Sequence, residues 1–423
     1  MNHNASQDQL NKLKEEKIPG IRSIYKYKRS YPEGEILSQV VGLTNFENNG
    51  QEGIELSVNK KLSGKDGFKK YVRTNKGEII ETQIIPPSHG QDITTTLDAK
   101  LQYLVYQELK KAFDYYKASS ASAILVDLKS KDILAMANYP SFNPNDRRGM
   151  NPNLLANRSA TDLFEPGSTV KPLALAGLLQ EDVIYKDIIV KTSPGYIEYE
   201  GFLTSDFKDY GTLNLSDVIS KSSNVAMVKL CDKSNSEEII KNFYKWGFGK
   251  YINEIFISNR EGYLPSSADL SAREKVSLCY GYGLQVTLIQ LVGAYTALFS
   301  NGQFQGLNLI SGSYNVNENE IISSEIAEEI KIMLSEAVNN GTGRNALVKN
   351  TRIIGKTGTT KRLTNQGYNE ESFNASFIGM AELDDNDYVL GILVRDAKEN
   401  GEGGGQVAAP IFSKIIKSIQ NTL

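Results

Sequence analysis

The apolar positions of this chain change their period near residue 96. Before it they come in brief, partly alternating runs, Val40-Val41-Gly42-Leu43, Lys69-Lys70-Tyr71-Val72-Arg73 and Glu78-Ile79-Ile80-Glu81, separated by the turn formers Asn48-Asn49-Gly50 and Asn75-Lys76-Gly77. That pattern predicts short strands in a small mixed α/β unit over residues 1–95. Pro86-Pro87-Ser88-His89-Gly90 interrupts any regular element, and Ile93 to Leu97 reads as a strand leading out of it. From Asp98 the spacing turns helical, with Leu101, Leu104, Val105, Leu109 and Phe113 on one face and Asp98 in the capping position. A second domain, residues 96–423, is expected to start here.

Inside it, Ala121 to Asp127 and Ile133 to Ala137 are apolar runs split by Lys129-Ser130-Lys131-Asp132, the signature of a hairpin in a central sheet. Helical stretches follow around 168–180, 214–231, 236–246 and 284–299. Strand-like runs return at Ser376 to Glu382 and Tyr388 to Arg395, and a helix closes the chain after Pro410. Strands at both ends with helices between them predict an α+β domain whose central antiparallel sheet is completed by its C-terminal part. The most apolar stretch, Leu288 to Phe299, is too short for a bilayer and is broken by Gln290, Gly293 and Thr296, so it reads as a buried helix. Met1 opens into a polar segment without the marks of a secretory signal.

Composition narrows the chemistry. A net charge of -3 from interspersed Lys, Arg, Asp and Glu offers no electrostatic footprint for nucleic acid. Cys231 and Cys279 are the only cysteines, too few for a disulfide framework and without zinc-like spacing, and are expected to be buried thiols. His3 and His89 each stand alone, which excludes a Ser-His-Asp triad or a histidine-rich metal site. Any general base must be something else.

Lys356-Thr357-Gly358, behind the apolar Ile353-Ile354 and followed by Thr359, occurs once in the chain. Such a tripeptide on a strand beside a serine is one of three elements shared by a class of serine acyl-transfer enzymes; the others are Ser-x-x-Lys and Ser-x-Asn. Ser-x-x-Lys occurs at Ser23/Lys26, Ser57/Lys60, Ser168/Lys171 and Ser205/Lys208. Only Ser168 lies at the start of an apolar helix, after Pro166-Gly167, where i and i+3 share a face and bring the Lys171 amine within reach of the serine hydroxyl. A serine needs a base, and a lysine serves if burial and a neighbouring cation, here Lys356, hold it neutral. Taken alone, Ser168 as a helix cap with a solvated first-turn Lys171 is the better account of the pair, and the setting reverses that preference.

Ser-x-Asn occurs at Ser57/Asn59, Ser141/Asn143, Ser222/Asn224, Ser313/Asn315 and Ser372/Asn374; order and setting between two buried helices select Ser222 and Asn224. Their hydroxyl and amide are suited to moving a proton to a leaving amine and holding a substrate backbone. A simple helix cap accounts for that motif too. On the strand, Gly358 admits a close backbone, Thr357 and Thr359 offer hydroxyls to a carboxylate, and the N–H groups of Ser168 and Thr359 form an oxyanion hole. Gly401 to Gly405 reads as a turn.

With these residues in place the chain resembles the class B penicillin-binding proteins of the cell-division branch. The resemblance rests on Phe164 to Pro172, Ser222-Ser223-Asn224-Val225, Tyr280-Gly281-Tyr282-Gly283-Leu284 and Gly404 to Phe412, and upstream on Arg29 to Gly34, Gly42-Leu43-Thr44 and Gly53-Ile54-Glu55. It implies a serine β-lactamase-like transpeptidase fold behind a partial pedestal, and cross-linking of peptidoglycan stem peptides through an acyl-enzyme on Ser168. Inhibition by β-lactams would follow, with no metal or organic cofactor, at the periplasmic face of a bacterial inner membrane. A septal glycan polymerase and other divisome proteins would be its partners. A β-lactamase, a D,D-carboxypeptidase or a penicillin sensor shares the same motifs. The family's membrane anchor and the first part of its pedestal have no counterpart in these residues, so a truncated chain is expected.

Overall fold

Alternation along a strand sends successive side chains to opposite faces of a sheet, and the centre of the fold follows from it. The structure, a computed structural model, describes residues 6–16, 19–20, 27–251, 259–312, 319–364, 367–383 and 386–422. Helix α1 (Ala99–Tyr116) opens the larger part, and Asp98 caps it by accepting from Leu101 N. Strands β1 (Ser120–Asp127) and β2 (Ile133–Tyr139) form the expected hairpin. Helices α2 (Lys171–Gln180), α3 (Leu215–Ser220), α4 (Asn224–Cys231), α5 (Leu288–Phe299) and α6 (Ser324–Asn339) follow. The chain then returns through β3 (Arg352–Thr364), β4 (Gly367–Glu382) and β5 (Asp387–Arg395), and closes with α7 (Gly403–Gln406) and α8 (Ala408–Gln420).

The five strands make one antiparallel sheet in the order β3-β4-β5-β1-β2, so the C-terminal strands complete a sheet begun by the first hairpin. Ile124, Val126, Val389 and Leu393 enter the core shared with α2 and α5, while Ala123, Leu125, Leu390 and Ile392 enter the core shared with α1 and α8. Each large aliphatic side chain buried this way contributes roughly 1.5–3 kcal/mol. Helix α5 is buried along its whole length, Gln290 and Thr296 included, as expected for a buried helix. Strand β3 is left at the sheet edge.

In the smaller part, the blocks around residues 29, 44 and 55 meet. Arg29 Nε pairs with Glu55 Oε1 at 2.8 Å, and Thr44 N donates to the Tyr31 hydroxyl at 3.0 Å. Gln39 reaches across to Pro140 O and Leu154 O at 3.2 and 2.8 Å. A hairpin of Phe68–Arg73 with Ile79–Ile85 stands out with Phe68, Tyr71, Ile80 and Ile84 exposed.

Three expectations fail. Val40-Val41 lies in a helical turn, Ser38–Val41, rather than a strand, because the chain must reverse at Gly42, where a Cβ would sit 1.7 Å from Glu52 O. Ile93 to Leu97 forms only a bridge from Thr95 to Ile310, since Thr96 ties down two separate segments by donating to Leu309 O and Ile133 O at 2.9 and 2.7 Å. Cys231 and Cys279 are joined in a disulfide with Cα atoms 6.5 Å apart. The end of α4 and the residue after helix Ala272–Leu278 are brought together only by tertiary packing, 48 residues apart in sequence. Ser23/Lys26, Ser313/Asn315 and His3 lie outside the described residues.

Candidate active site

Pro166-Gly167 turns the chain into a single 3-10 turn, Gly167–Val170, that runs straight into α2. Within Phe164 to Val170 only Ser168 is not buried, and it faces a cleft of about 640 Å³. The turn is braced from several sides. Tyr295 of α5 donates to Thr169 O at 2.7 Å, Gly167 N donates to Gly281 O at 3.1 Å, and Thr360 Oγ1 donates to Glu165 O at 3.1 Å. The Glu165 carboxylate accepts from Gly283 N and from the Tyr368 hydroxyl at 2.9 and 3.0 Å. Pro166, not Ser168, occupies the cap position of the turn, so the serine hydroxyl is not spent on capping.

Three elements deliver Lys171, Ser222 and Lys356 to one point. Lys171 and Lys356 are both fully buried. Lys171 Nζ lies 2.6 Å from Ser222 O, 3.2 Å from Ser222 Oγ and 2.7 Å from Asn224 Oδ1, while Lys356 Nζ lies 3.0 Å from Ser222 Oγ. Ser222 adopts a left-handed backbone, φ 59°, which turns its carbonyl toward the lysine. In Ser222-Ser223-Asn224 the capping role belongs to the middle residue, whose hydroxyl accepts from Ala226 N at 3.0 Å; Ser222 and Asn224 are thereby left to Lys171. No hydrogen bond joins Lys171 to Ser168 among the described residues; the amine is held instead by Ser222 and Asn224, at and just before the start of α4.

Burial holds Lys171 well below the usual lysine range, the Lys356 cation lowers it further, and Asp206 opposes both. Burial brings Lys356 from 10.5 down to about 7. A neutral amine has two N–H donors and one lone pair. With Ser222 O and Asn224 Oδ1 taking the donors, the lone pair of Lys171 can face a hydroxyl, and Ser222 Oγ lies 3.2 Å away.

Asp206 was not legible as a site residue. It accepts from Ser223 Oγ, Asn224 N and Val225 N at 2.6, 2.6 and 3.1 Å, neutralising the free N–H groups that open α4. It lies between Ser205 and Lys208, one of the four Ser-x-x-Lys pairs, and only the tertiary fold brings it to α4.

Lys356, Thr357, Gly358 and Thr359 lie together on the edge strand beside the serine turn, and Thr357 and Thr359 line the same cleft as Ser168. The Thr357 hydroxyl is 2.7 Å from that of Thr342. Gly358 has a different reason from the one its sequence suggests. A Cβ there would lie 2.4 Å from Ser376 Oγ, 2.8 Å from Pro166 O and 2.9 Å from Thr169 Cγ2, so the glycine admits the serine turn itself. Gly401 to Gly405 is likewise no plain turn: Gly403 begins α7, and Gly404 packs so closely that a Cβ would lie 2.5 Å from Gly358 O while its N–H donates to Thr359 Oγ1 at 2.9 Å. Among the described residues no group of three His, Cys, Asp or Glu is placed to hold a metal ion.

Residues 121–417 match the family model described as the penicillin binding protein transpeptidase domain, and residues 1–95 match that of the penicillin-binding protein dimerisation domain. The chain belongs to the FtsI-type penicillin-binding protein transpeptidases. Within this family, the peptidoglycan D,D-transpeptidase FtsI of Buchnera aphidicola (subspecies Schizaphis graminum) is 36% identical over 409 residues, covering 96% of this chain and 72% of the relative. FtsI of Escherichia coli K12 is 33% identical over 418 residues, covering 98% and 71%. Among solved transpeptidase structures, penicillin binding protein 3 of Mycobacterium tuberculosis complexed with aztreonam superposes with a TM-score of 0.83 at 27% identity, covering 93% of this chain and 90% of that one.

Proposed function

We infer that the chain is a serine D,D-transpeptidase that cross-links peptidoglycan stem peptides in septal wall synthesis, with Ser168 as nucleophile. The observation that carries this is the convergence of two buried lysines on Ser222 Oγ in the floor of the cleft that holds Ser168. Neutral Lys171 takes the Ser168 proton as Oγ attacks the penultimate D-alanine carbonyl, and Lys356 keeps Lys171 neutral. The N–H groups of Ser168 and Thr359 hold the oxyanion, each such donor worth roughly 2.7–4 kcal/mol of barrier. Thr357 and Thr359 take the terminal carboxylate. Ser222 Oγ, between the two amines, passes the proton to the leaving D-alanine nitrogen, and Asn224 holds the donor backbone. A second stem's amine then resolves the acyl-enzyme.

Residues 1–95 form the pedestal and 96–423 the catalytic domain in this reading, supported by the ties of Thr96 and Asp98 into the sheet part. Among the described residues no helix is long and apolar enough to cross a membrane. The Cys231–Cys279 disulfide supports folding in an oxidising compartment, as at the periplasmic face of the inner membrane. A septal glycan polymerase and divisome proteins are its proposed partners there.

Labelled penicillin tests the reading. A stable adduct is expected that is absent from Ser168→Ala; no adduct in the wild type rules out the acyl-transfer function, and rapid drug turnover assigns the site to a hydrolase instead.

A further inference from the structure

Glu165, just ahead of the serine turn, is only 5% exposed. A buried carboxylate is costly unless donors hold it, and its donors come from two other segments. Gly283 N and the Tyr368 hydroxyl lie at 2.9 and 3.0 Å, both on Oε1. Oε2 is buried and has no partner among the described residues, so the grip on this side chain passes through one oxygen. The same segments flank the two proposed oxyanion donors, Ser168 N and Thr359 N. Gly281 O accepts from Gly167 N at 3.1 Å, and Thr360 Oγ1 donates to Glu165 O at 3.1 Å.

Tyr368 reaches Glu165 from the outer end of the β3-β4 hairpin, beyond a register break between Lys361 and Arg362. Such breaks re-aim side chains. The Tyr368 ring meets that of Tyr282 edge-on at 5.9 Å, which seats it over the 280–283 segment. Burial and then the Glu165 charge push the Tyr368 hydroxyl above the usual tyrosine range, so it stays a donor.

We propose that Tyr368 and Glu165 are positioning residues for acylation, their hydrogen bond clasping the outer hairpin to the serine turn and thereby setting Ser168 N against Thr359 N. The inference rests on Ser168 as the nucleophile and goes beyond it by giving a role to two side chains outside the three motifs. Neither lines the cleft, and the clasp acts through the turn. An oxyanion hole works only in register, and a misplacement of about 1 Å costs on the order of a hundredfold in rate.

Labelled penicillin at several concentrations separates the first-order acylation constant from the affinity of the complex that precedes it. Y368F keeps the ring and loses only the hydroxyl; it should lower the acylation constant about tenfold, the scale of one charge-assisted hydrogen bond, and leave the affinity unchanged. E165A should lower the constant about a hundredfold. E165Q should recover most of that loss, because its amide oxygen still accepts from both donors while its nitrogen replaces the unpartnered Oε2. Adding Y368F to E165A should cost nothing more. Y368F acylating at the wild-type rate overturns the proposal, as does a loss carried by affinity alone, which would place Tyr368 on the ligand. So does E165Q as slow as E165A, which would assign the effect to charge, or a Y368F loss as large in E165A as in the wild type. Each of these removes the clasp alone; a wild-type chain that penicillin never acylates removes the transpeptidase reading with it.

Discussion

Lys171 and Lys356 in the floor of the cleft are fully buried around one hydroxyl, while Arg344 and Glu402 on its rim are exposed and carry no partner among the described residues. The difference separates two uses of charge. A buried amine loses its hydration, which disfavours its proton and makes a base of it near neutral pH. An exposed ion keeps its hydration, so its charge stays available to whatever enters from solvent. The serine turn beside the floor is braced through Tyr295, Gly281, Glu165 and Gly358, whereas the rim stands on one turn and one four-residue helix.

The largest effect should come from removing the proposed base. Lys171→Ala should lower the acylation rate by about two to four orders of magnitude, the range of general-base catalysis, with folding followed by circular dichroism. Labelling at the wild-type rate would assign the base elsewhere.

Next comes the tie between the elements that hold the floor. Cys231 ends the helix that begins with Asn224, and Cys279 precedes Tyr280-Gly281, which braces Gly167. The double variant Cys231→Ser with Cys279→Ser should lose about 2–4 kcal/mol of stability, as expected for a disulfide closing a loop of this length, read from denaturant unfolding. A loss well under that range would mean that packing alone holds the two helices.

Much of the floor was legible because its motifs carry order and setting: a lone Lys-Thr-Gly selected Ser168/Lys171 and Ser222/Asn224, and the fold brings all of them to one cleft. The sheet was legible through alternation at Ile124, Leu125, Val389 and Leu390. What escaped depends on tertiary distance. Asp206 and the Cys231–Cys279 pair have no local pattern, and the glycines at 358 and 404 are demanded by the close approach of one backbone to another, which no single segment reveals. Ser168 and Lys171 share a helix start, yet the lysine is turned to α4 by acceptors that lie more than 50 residues away.

The finest test of the floor is the pH dependence of acylation, where two neighbours of Lys171 act with opposite sign. In the proposed mechanism acylation needs neutral Lys171, so its rate should fall as pH drops through that group's pKa. Burial lowers this pKa most, Lys356 lowers it further and Asp206 raises it. Lys356→Met removes a cation, so the Lys171 pKa rises and the acid limb moves to higher pH; Asp206→Asn removes an anion, and the limb moves to lower pH. Limbs that move in the same direction, or that stay in place, would disprove the coupling. Linkage supplies a check on the wild type. Lys356 titrates near 7 when folded and at 10.5 when unfolded, so between those values the unfolded chain binds the extra proton and stability should rise with pH. In Lys356→Met that part of the rise should be missing, since methionine carries no proton in either state.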